Sequence, residues 1–282
     1  MADIFYGKPV AEKIREEITA KVSVYKANGV HPKVVIVRVG ENPDDIAYEN
    51  RVLRNCERVG MDVQVRKLAA DIGQDEMIGV IEELNCDDRV HGVLIFRPLP
   101  EALDEESIGR ALLPEKDIDC MNPVNLEKVF TGQRDAIPPC TPEAVIELLK
   151  YYAGELKGRH AVIVNRSLVL GKPLAMMLLQ ENATVTICHS KTERLAEVAS
   201  GADILVVATG RAKMFDVSYV SETSLVVDVG INFEDGVMCG DVDFNAVSGK
   251  AAGITPVPGG VGPVTSMLLL RHVLRGMELH RK

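Results

Sequence analysis

The chain has 282 residues, 46% of them hydrophobic and 26% charged, the profile of a globular protein long enough for two domains. Its formal charge of −9 argues against nucleic acid as a partner, because neutralising phosphates takes a basic surface, although a few local cations would still hold a small anion. No apolar run reaches the roughly 18 residues of a membrane span. The opening "MADIFYGKPVAEKIREEI" turns charged and helical too early for a signal peptide, and six scattered cysteines without a C-x-x-C pair point to a reducing cytoplasm, with neither a disulfide framework nor a metal site.

In chain order, "VAEKIREEITAKVSVYK" has the spacing of a surface helix and "KVVIVRVG" that of a buried strand. An amphipathic helix carrying Tyr48 comes next, then "VQVRKLA" as a strand, "QDEMIGVIEELN" as a helix and "GVLIFRPLP" as a strand. Near-continuous apolar strands separated by helices imply a parallel sheet covered on both faces. Irregular, proline-marked sequence runs from Pro98 to Pro142. In "PPCTPEAVIELLKYY", Thr141 is placed to cap a helix with Pro142 at its first position. That helix bridges into a second unit with strands "HAVIVN", "TVTICH", "DILVVAT" and "SLVVDVG", and the final "PVTSMLLLRHVLRGMELHR" is a helix expected to pack back on the first. The fold class is α/β: two α/β domains flanking a cleft, the second a Rossmann-like parallel sheet. The expected boundaries are 1–141 plus the C-terminal helix 264–282 for one domain and 142–263 for the other. A cleft of this kind is a favoured place for a ligand.

"AVIVNRSLVLGKPLAMMLL" reads as strand, tight turn and helix, the arrangement that aims helix N–H groups at a phosphate, though it lacks G-x-G-x-x-G. Asn165 stands first, Gly171 follows six residues later, and Pro173 comes next. The following strand ends in Ser190, Lys191 and Thr192, where an NAD enzyme would carry a ribose-binding acid. A serine and a lysine there, with Arg166 in the first turn, suit a 2′-phosphate and hence NADP in preference to NAD. Taken singly, Arg166 or Lys191 reads equally well as a solvated surface cation.

The motifs "GENPDDIAYENRVLRNCERVG", "RPLP", "PEKDIDCMNPVN", "PPCTP", "NRSLVLGKP", "CHSKT", "DVGIN" and "GDVDF…ITPVPGGVGPVT" occur in this order. Over nearly its whole length the chain resembles the methylenetetrahydrofolate dehydrogenase/cyclohydrolases. The resemblance implies a homodimer, NADP on the second domain and a tetrahydrofolate derivative in the cleft. The "PVPGGVG" loop, with Pro258, Gly259, Gly260, Val261 and Gly262, would then border the substrate. Asn165, Arg166 and Ser167 fall where the family's Gly-Arg-Ser cradles the cofactor. Ser190 falls at the 2′-phosphate, and Ile231 where backbone meets the nicotinamide end. Asn165 in place of glycine is a departure, and asparagine's tolerance of left-handed backbone is expected to preserve the turn. Tyr48 matches the tyrosine that stacks on folate, and Asp119 the carboxylate that binds the pterin; without the resemblance Asp119 would read as a loop cap. His189 and Cys188 need no role beyond the strand end.

Two catalytic positions differ. The family's lysine, one helical turn after the tyrosine, is Val52, and the glutamine before its "LPLP" is Phe96, with Arg97 next. Val52, Phe96 and Arg97 would therefore line the substrate pocket. Hydride transfer from the one-carbon bridge needs positioning and an acceptor. Adding water to the methenyl cation and opening the ring also needs a group of tuned pKa, a task a desolvated lysine performs and valine cannot. The expected activity is an NADP-dependent methylenetetrahydrofolate dehydrogenase with weak or absent cyclohydrolase activity. The alternatives are a bifunctional enzyme with Arg51 or Arg97 compensating, and a folate- or nucleotide-binding protein without catalysis. Arg51 has too high a pKa to shuttle protons, and otherwise reads as a solvated arginine beside Glu49 and Arg54.

Overall fold

Strands buried on both faces cannot alternate in polarity, and the apolar runs above accordingly become parallel strands. The computed structural model describes residues 1–280. The first half of the chain forms β1 (Asp3–Ile4), α1 (Gly7–Ala27), β2 (Lys33–Val39), α2 (Pro43–Val59), β3 (Asp62–Leu68), α3 (Gln74–Cys86), β4 (Gly92–Ile95), α4 (Glu105–Ala111), α5 (Pro123–Thr131) and α6 (Cys140–Ala153). The second half forms β5 (His160–Val164), α7 (Gly171–Gln180), β6 (Thr184–Cys188), α8 (Leu195–Ser200), β7 (Ile204–Val207), β8 (Leu225–Asp228), β9 (Asn232–Glu234), β10 (Val237–Cys239), α9 (Phe244–Ser248), β11 (Gly253–Ile254) and α10 (Val261–His280). No helix among the described residues is long and apolar enough to cross a membrane.

The chain divides into two compact units, one of Met1–Glu12 with Thr141–Thr265, the other of Lys13–Cys140 with the chain from Ser266 onward. The first twelve residues thus depart from the expected partition. The cause is β1, which pairs in parallel with β11 through Asp3↔Gly253 and Ile4↔Ile254. A side chain at Gly253 would run into the Phe5 ring at 2.2 Å, so glycine allows this close approach. The bridging helix α6 also begins at Cys140, one residue before the expected cap.

The second of these units contains a three-stranded parallel sheet in the order β3-β2-β4. Val34, Val35, Ile36 and Val37 at its centre are at most 1% exposed. Helix α2 is bounded by its own sequence: Asn42 accepts the Asp44 N–H at 2.9 Å, Pro43 occupies the first turn, and Gly60 closes the helix at φ 74°. Its buried stripe is Glu49, Val52, Asn55, Cys56 and Val59. A glutamate on such a stripe needs a partner, and Arg38 of β2 supplies it, with Arg38 Nε 2.7 Å from Glu49 Oε2. Arg38 is 2% exposed and Glu49 6%. A further Arg38 nitrogen donates to the Gly40 carbonyl.

The other unit has six parallel strands in the order β1-β11-β8-β7-β5-β6, with β9 and β10 forming a separate antiparallel hairpin. Two buried aspartates tie its strand ends. Asp241, 0% exposed, accepts N–H groups from Thr209, Gly210 at 3.1 Å and Arg211 at 3.0 Å, together with the Asn232 amide at 2.9 Å. Asp228 at the end of β8 accepts in turn from the backbone of Gly230, Asp241 and Val242 at 2.9, 3.1 and 2.8 Å.

Glu49→Ala strands the Arg38 guanidinium in the core and is expected to lower the unfolding free energy by about 3–5 kcal/mol. Replacing both partners with methionine should recover most of that loss. Urea denaturation of the two variants checks this, and equal losses would contradict it. Burial pushes the Asp228 carboxyl up from 3.8 to about 6, against the pull of its three N–H donors. Folded Asp228 therefore keeps its proton to higher pH than the unfolded chain does. The stability it contributes is complete below its unfolded pKa and fades as pH rises through about 6. Relative to the non-titrating Asp228→Asn, the wild type should lose about 2 kcal/mol between pH 4 and pH 7. A pH-independent difference in paired denaturation curves would rule this out.

Candidate active site

In the three-stranded unit, Tyr48 is half-buried in the second turn of α2, and Phe96, 6% exposed, follows β4. Their ring centroids lie 5.2 Å apart at 40°. Arg97 places Nη2 3.2 Å from Asp119 Oδ2 and Nη1 3.6 Å from Glu105 Oε1 at the start of α4. Burial first, and then the charge of Asp119, push the Tyr48 phenol far above its ordinary value. Tyr48 is thus a neutral hydrogen-bonding ring at working pH, not a base. Val52 is 3% exposed on the same helix. The structure therefore brings together Tyr48, Phe96, Arg97 and Asp119 within one unit.

Why the chain presents Asp119 here follows from its neighbours in "EKDIDC". Lys116, buried, donates Nζ to the carbonyls of Leu84, Asn85 and Asp87 at 2.9, 2.7 and 2.9 Å, closing the C-terminal end of α3. Asp117, 1% exposed, accepts from Asn122 N at 2.7 Å, Asn125 Nδ2 at 3.2 Å and Asp119 N at 3.3 Å. Cys120 then turns left-handed at φ 56°, and Asp119 is left half-exposed on a braced turn. Burial raises the Cys120 thiol well above its usual value, so it is unreactive. Arg51 is exposed, but it does not sit against Glu49 as expected, since Glu49 is buried on Arg38.

In the six-stranded unit, the β5–α7 turn is held by the Asn165 side chain. Its Oδ1 accepts from Ser167 N at 2.9 Å, Ser167 Oγ at 2.8 Å and Gly171 N at 3.0 Å, and its Nδ2 donates to the Ala208 carbonyl at 2.7 Å. Asn165 is not among the residues of positive φ, so the turn survives through these bonds and not through left-handed backbone. A side chain at Gly171 would strike the Asn165 carbonyl at 2.0 Å, which explains the glycine. The expected open row of helix N–H groups is absent, because Leu170 N, Gly171 N and Lys172 N already bond within the turn.

Ser190 follows β6 on a turn braced by His189, whose Nδ1 accepts the Lys191 N–H at 3.1 Å, and by Thr192 Oγ1, which accepts the His189 N–H at 2.9 Å. His189 therefore has a role that its strand-end position does not reveal. Arg166, His189, Ser190, Thr209 and Arg211 line one cavity of about 330 Å³ together with Asn165. Ile231 is 67% exposed between β8 and β9. Of the expected Pro258–Gly262 loop, Pro258, Gly259 and Gly260 lie between β11 and α10 while Val261 and Gly262 open α10, and the segment is pinned to the N-terminal residues by Gly7 N donating to Gly259 O at 2.8 Å. A side chain at Gly7 would meet the Gly260 carbonyl at 1.9 Å. Asp117, Lys116, Asp241 and Arg211 escape a reading by motif, the first three although they sit inside quoted ones. Among the described residues no group of three or more His, Cys, Asp or Glu is placed to hold a metal ion.

Comparison with known proteins also gives two parts, whose central boundary falls within two residues of that between the units. The family model for the tetrahydrofolate dehydrogenase/cyclohydrolase catalytic domain matches residues 5–119, and that for its NAD(P)-binding domain matches residues 139–281. The chain is 51% identical to the "Bifunctional protein FolD 1" of Desulfitobacterium hafniense, covering 99% of each. Among solved structures it is similar to the bifunctional FolD enzyme of Campylobacter jejuni (38% identity, TM-score 0.96, covering 99% of this chain and 100% of that one). It is also similar to the Trypanosoma brucei methylenetetrahydrofolate dehydrogenase-cyclohydrolase complexed with NADP and an inhibitor (31% identity, TM-score 0.92, covering 100% and 99%). Matched along both domains and closely related to whole proteins of the same length, the chain belongs to the tetrahydrofolate dehydrogenase/cyclohydrolase family.

Proposed function

We propose that this chain oxidises 5,10-methylenetetrahydrofolate to 5,10-methenyltetrahydrofolate with NADP as hydride acceptor, and that it converts the methenyl product to 10-formyltetrahydrofolate slowly. One observation carries the first step: the Tyr48 ring meets Phe96 with centroids 5.2 Å apart, and the next residue, Arg97, meets Asp119 at 3.2 Å, which brings the pair that the resemblance assigns to folate into one neighbourhood. On this reading Asp119 holds the pterin through paired hydrogen bonds, Tyr48 lies against it, and Phe96 backs the Tyr48 ring. Loss of hydride leaves a cation that the substrate's own nitrogen lone pairs stabilise, so the chain needs only to orient the reactants.

The cavity beside Arg166 and Ser190 fits a phosphorylated nucleotide, since no carboxylate is among its lining residues. Asn165, Arg166, Ser167 and Ser190 would hold the cofactor, whose nicotinamide supplies the hydride acceptor. The T. brucei neighbour, complexed with NADP, supports that choice over NAD. The Pro258–Gly262 loop and Ile231 take the roles the resemblance gives them. A homodimer is the assembly implied, and Phe233 and Val237, 66% and 68% exposed on the β9–β10 hairpin, are apolar surface that a second copy would cover.

The second step divides the observations. The curated relatives bear bifunctional names, which favours both activities and outweighs the expectation of complete loss. The site favours a slow hydrolysis, because Val52 and Phe96 carry no proton, the Tyr48 phenol is held neutral, and Arg97 is permanently charged. A dehydrogenase without hydrolysis is the second reading, resting on the same two apolar residues.

Both rates measured on one preparation decide between them. Oxidation with NADP should proceed readily, with hydrolysis of methenyltetrahydrofolate above the buffer rate but slower than oxidation by roughly 10²–10⁴. Hydrolysis at the buffer rate would select the dehydrogenase-only reading. Folate binding without turnover on either NADP or NAD would select a non-catalytic binding protein. Val52→Lys with Phe96→Gln is expected to raise hydrolysis more than oxidation, and a change confined to oxidation would contradict the assignment of those positions.

A further inference from the structure

We propose that Arg211 is a specificity-determining residue of the nucleotide cavity, a second arginine for a phosphate monoester on the ribose. The inference rests on the NADP reading above and assigns a role to a residue that no motif points to. The lining of the cavity comes first. Arg166 and Arg211 stand around it with the Ser190 hydroxyl, Leu195 and Met214 supply apolar wall, and no acidic residue lines it. In a chain with 41 acidic and 32 basic residues, an acid-free lining with two arginines is a local reversal of the overall charge.

The pairing of the arginines comes second. Arg38, Arg66, Arg89, Arg97, Arg110 and Arg194 each lie against a carboxylate. Neither Arg166 nor Arg211 has one among the described residues, so both guanidinium groups keep their donors for an incoming anion. The backbone beneath Arg211 comes third. Thr209, Gly210 and Arg211 all donate their N–H groups to the fully buried Asp241, so the turn is ordered before any ligand arrives. Two guanidinium groups and a hydroxyl around one cavity match a dianionic phosphate, which accepts several charge-assisted bonds. The ligand class is a nucleotide with a 2′-phosphate.

Calorimetric titration of the full chain with 2′,5′-ADP and with 5′-AMP tests this, on the wild type, Arg211→Ala and Arg211→Lys. The side chain is exposed, so both variants are expected to fold. The wild type should bind 2′,5′-ADP more tightly than 5′-AMP. Arg211→Ala should weaken 2′,5′-ADP by about tenfold or more, while 5′-AMP changes far less, and Arg211→Lys should recover part of the loss. Equal losses for the two ligands would place Arg211 on another part of the nucleotide and overturn the proposal, as would no loss for either. A wild type that binds both ligands equally would instead overturn the NADP reading itself, whatever the variants do.

Discussion

The ends of parallel strands turn abruptly, and the N–H groups of those turns leave the ladder and are ordered when the chain supplies acceptors for them. In this protein the acceptors are buried carboxylates. Asp241, 0% exposed, gathers the backbone of residues 209–211, and Asp117, 1% exposed, gathers the turn that ends at Asn122. Glu49 does related work as the partner of Arg38, tying α2 to β2. Every one of these acids adjoins a residue with a proposed role: Arg211 beside the first, Asp119 beside the second and Tyr48 beside the third. These buried acids thus order the backbone that carries the binding groups, which lowers the ordering cost of binding.

The alternation of buried strands and covering helices was readable in the sequence because apolar runs such as "KVVIVRV" and "HAVIV" leave no other choice at their length. The limits of α2 were also readable, since Asn42, Pro43 and Gly60 signal its ends locally. What escaped depends on distant partners. β1 is two residues long, too short for any periodicity, and its partner β11 lies near the other end of the chain. Glu49 beside a tyrosine on a charged helix reads as solvated until Arg38 is seen across from it. Asn165 keeps its turn by four side-chain bonds, where its backbone tolerance alone suggested a left-handed residue. Within the site, spacing placed Val52 one turn beyond Tyr48, but the meeting of Tyr48 with Phe96 and of Arg97 with Asp119 joins segments about 50 and about 20 residues apart, beyond what local pattern carries.

The two departures that the resemblance implies, at Val52 and Phe96, both replace a polar residue with an apolar one. A lysine at position 52 would be a titratable cation one turn from Tyr48; Val52 and Phe96 are apolar and 3% and 6% exposed. The charges that remain are Arg97 with Asp119 and Glu105, and Arg51, which also acts on the Tyr48 phenol, two cations with two carboxylates. If the pocket takes methylenetetrahydrofolate, hydride loss makes a cation there. A protonated lysine at position 52 would repel that cation, and an apolar side chain there does not. The same substitutions withdraw the group that would carry protons during hydrolysis. Hydride transfer tolerates the change because it asks for geometry, and geometry is what the buried pairs behind Tyr48 and Asp119 supply. Proton transfer does not tolerate it, because a proton needs a donor and an acceptor of suitable pKa, and neither valine nor phenylalanine is one. On the proposed reading, such a pocket would form the methenyl cation more readily than it consumes it.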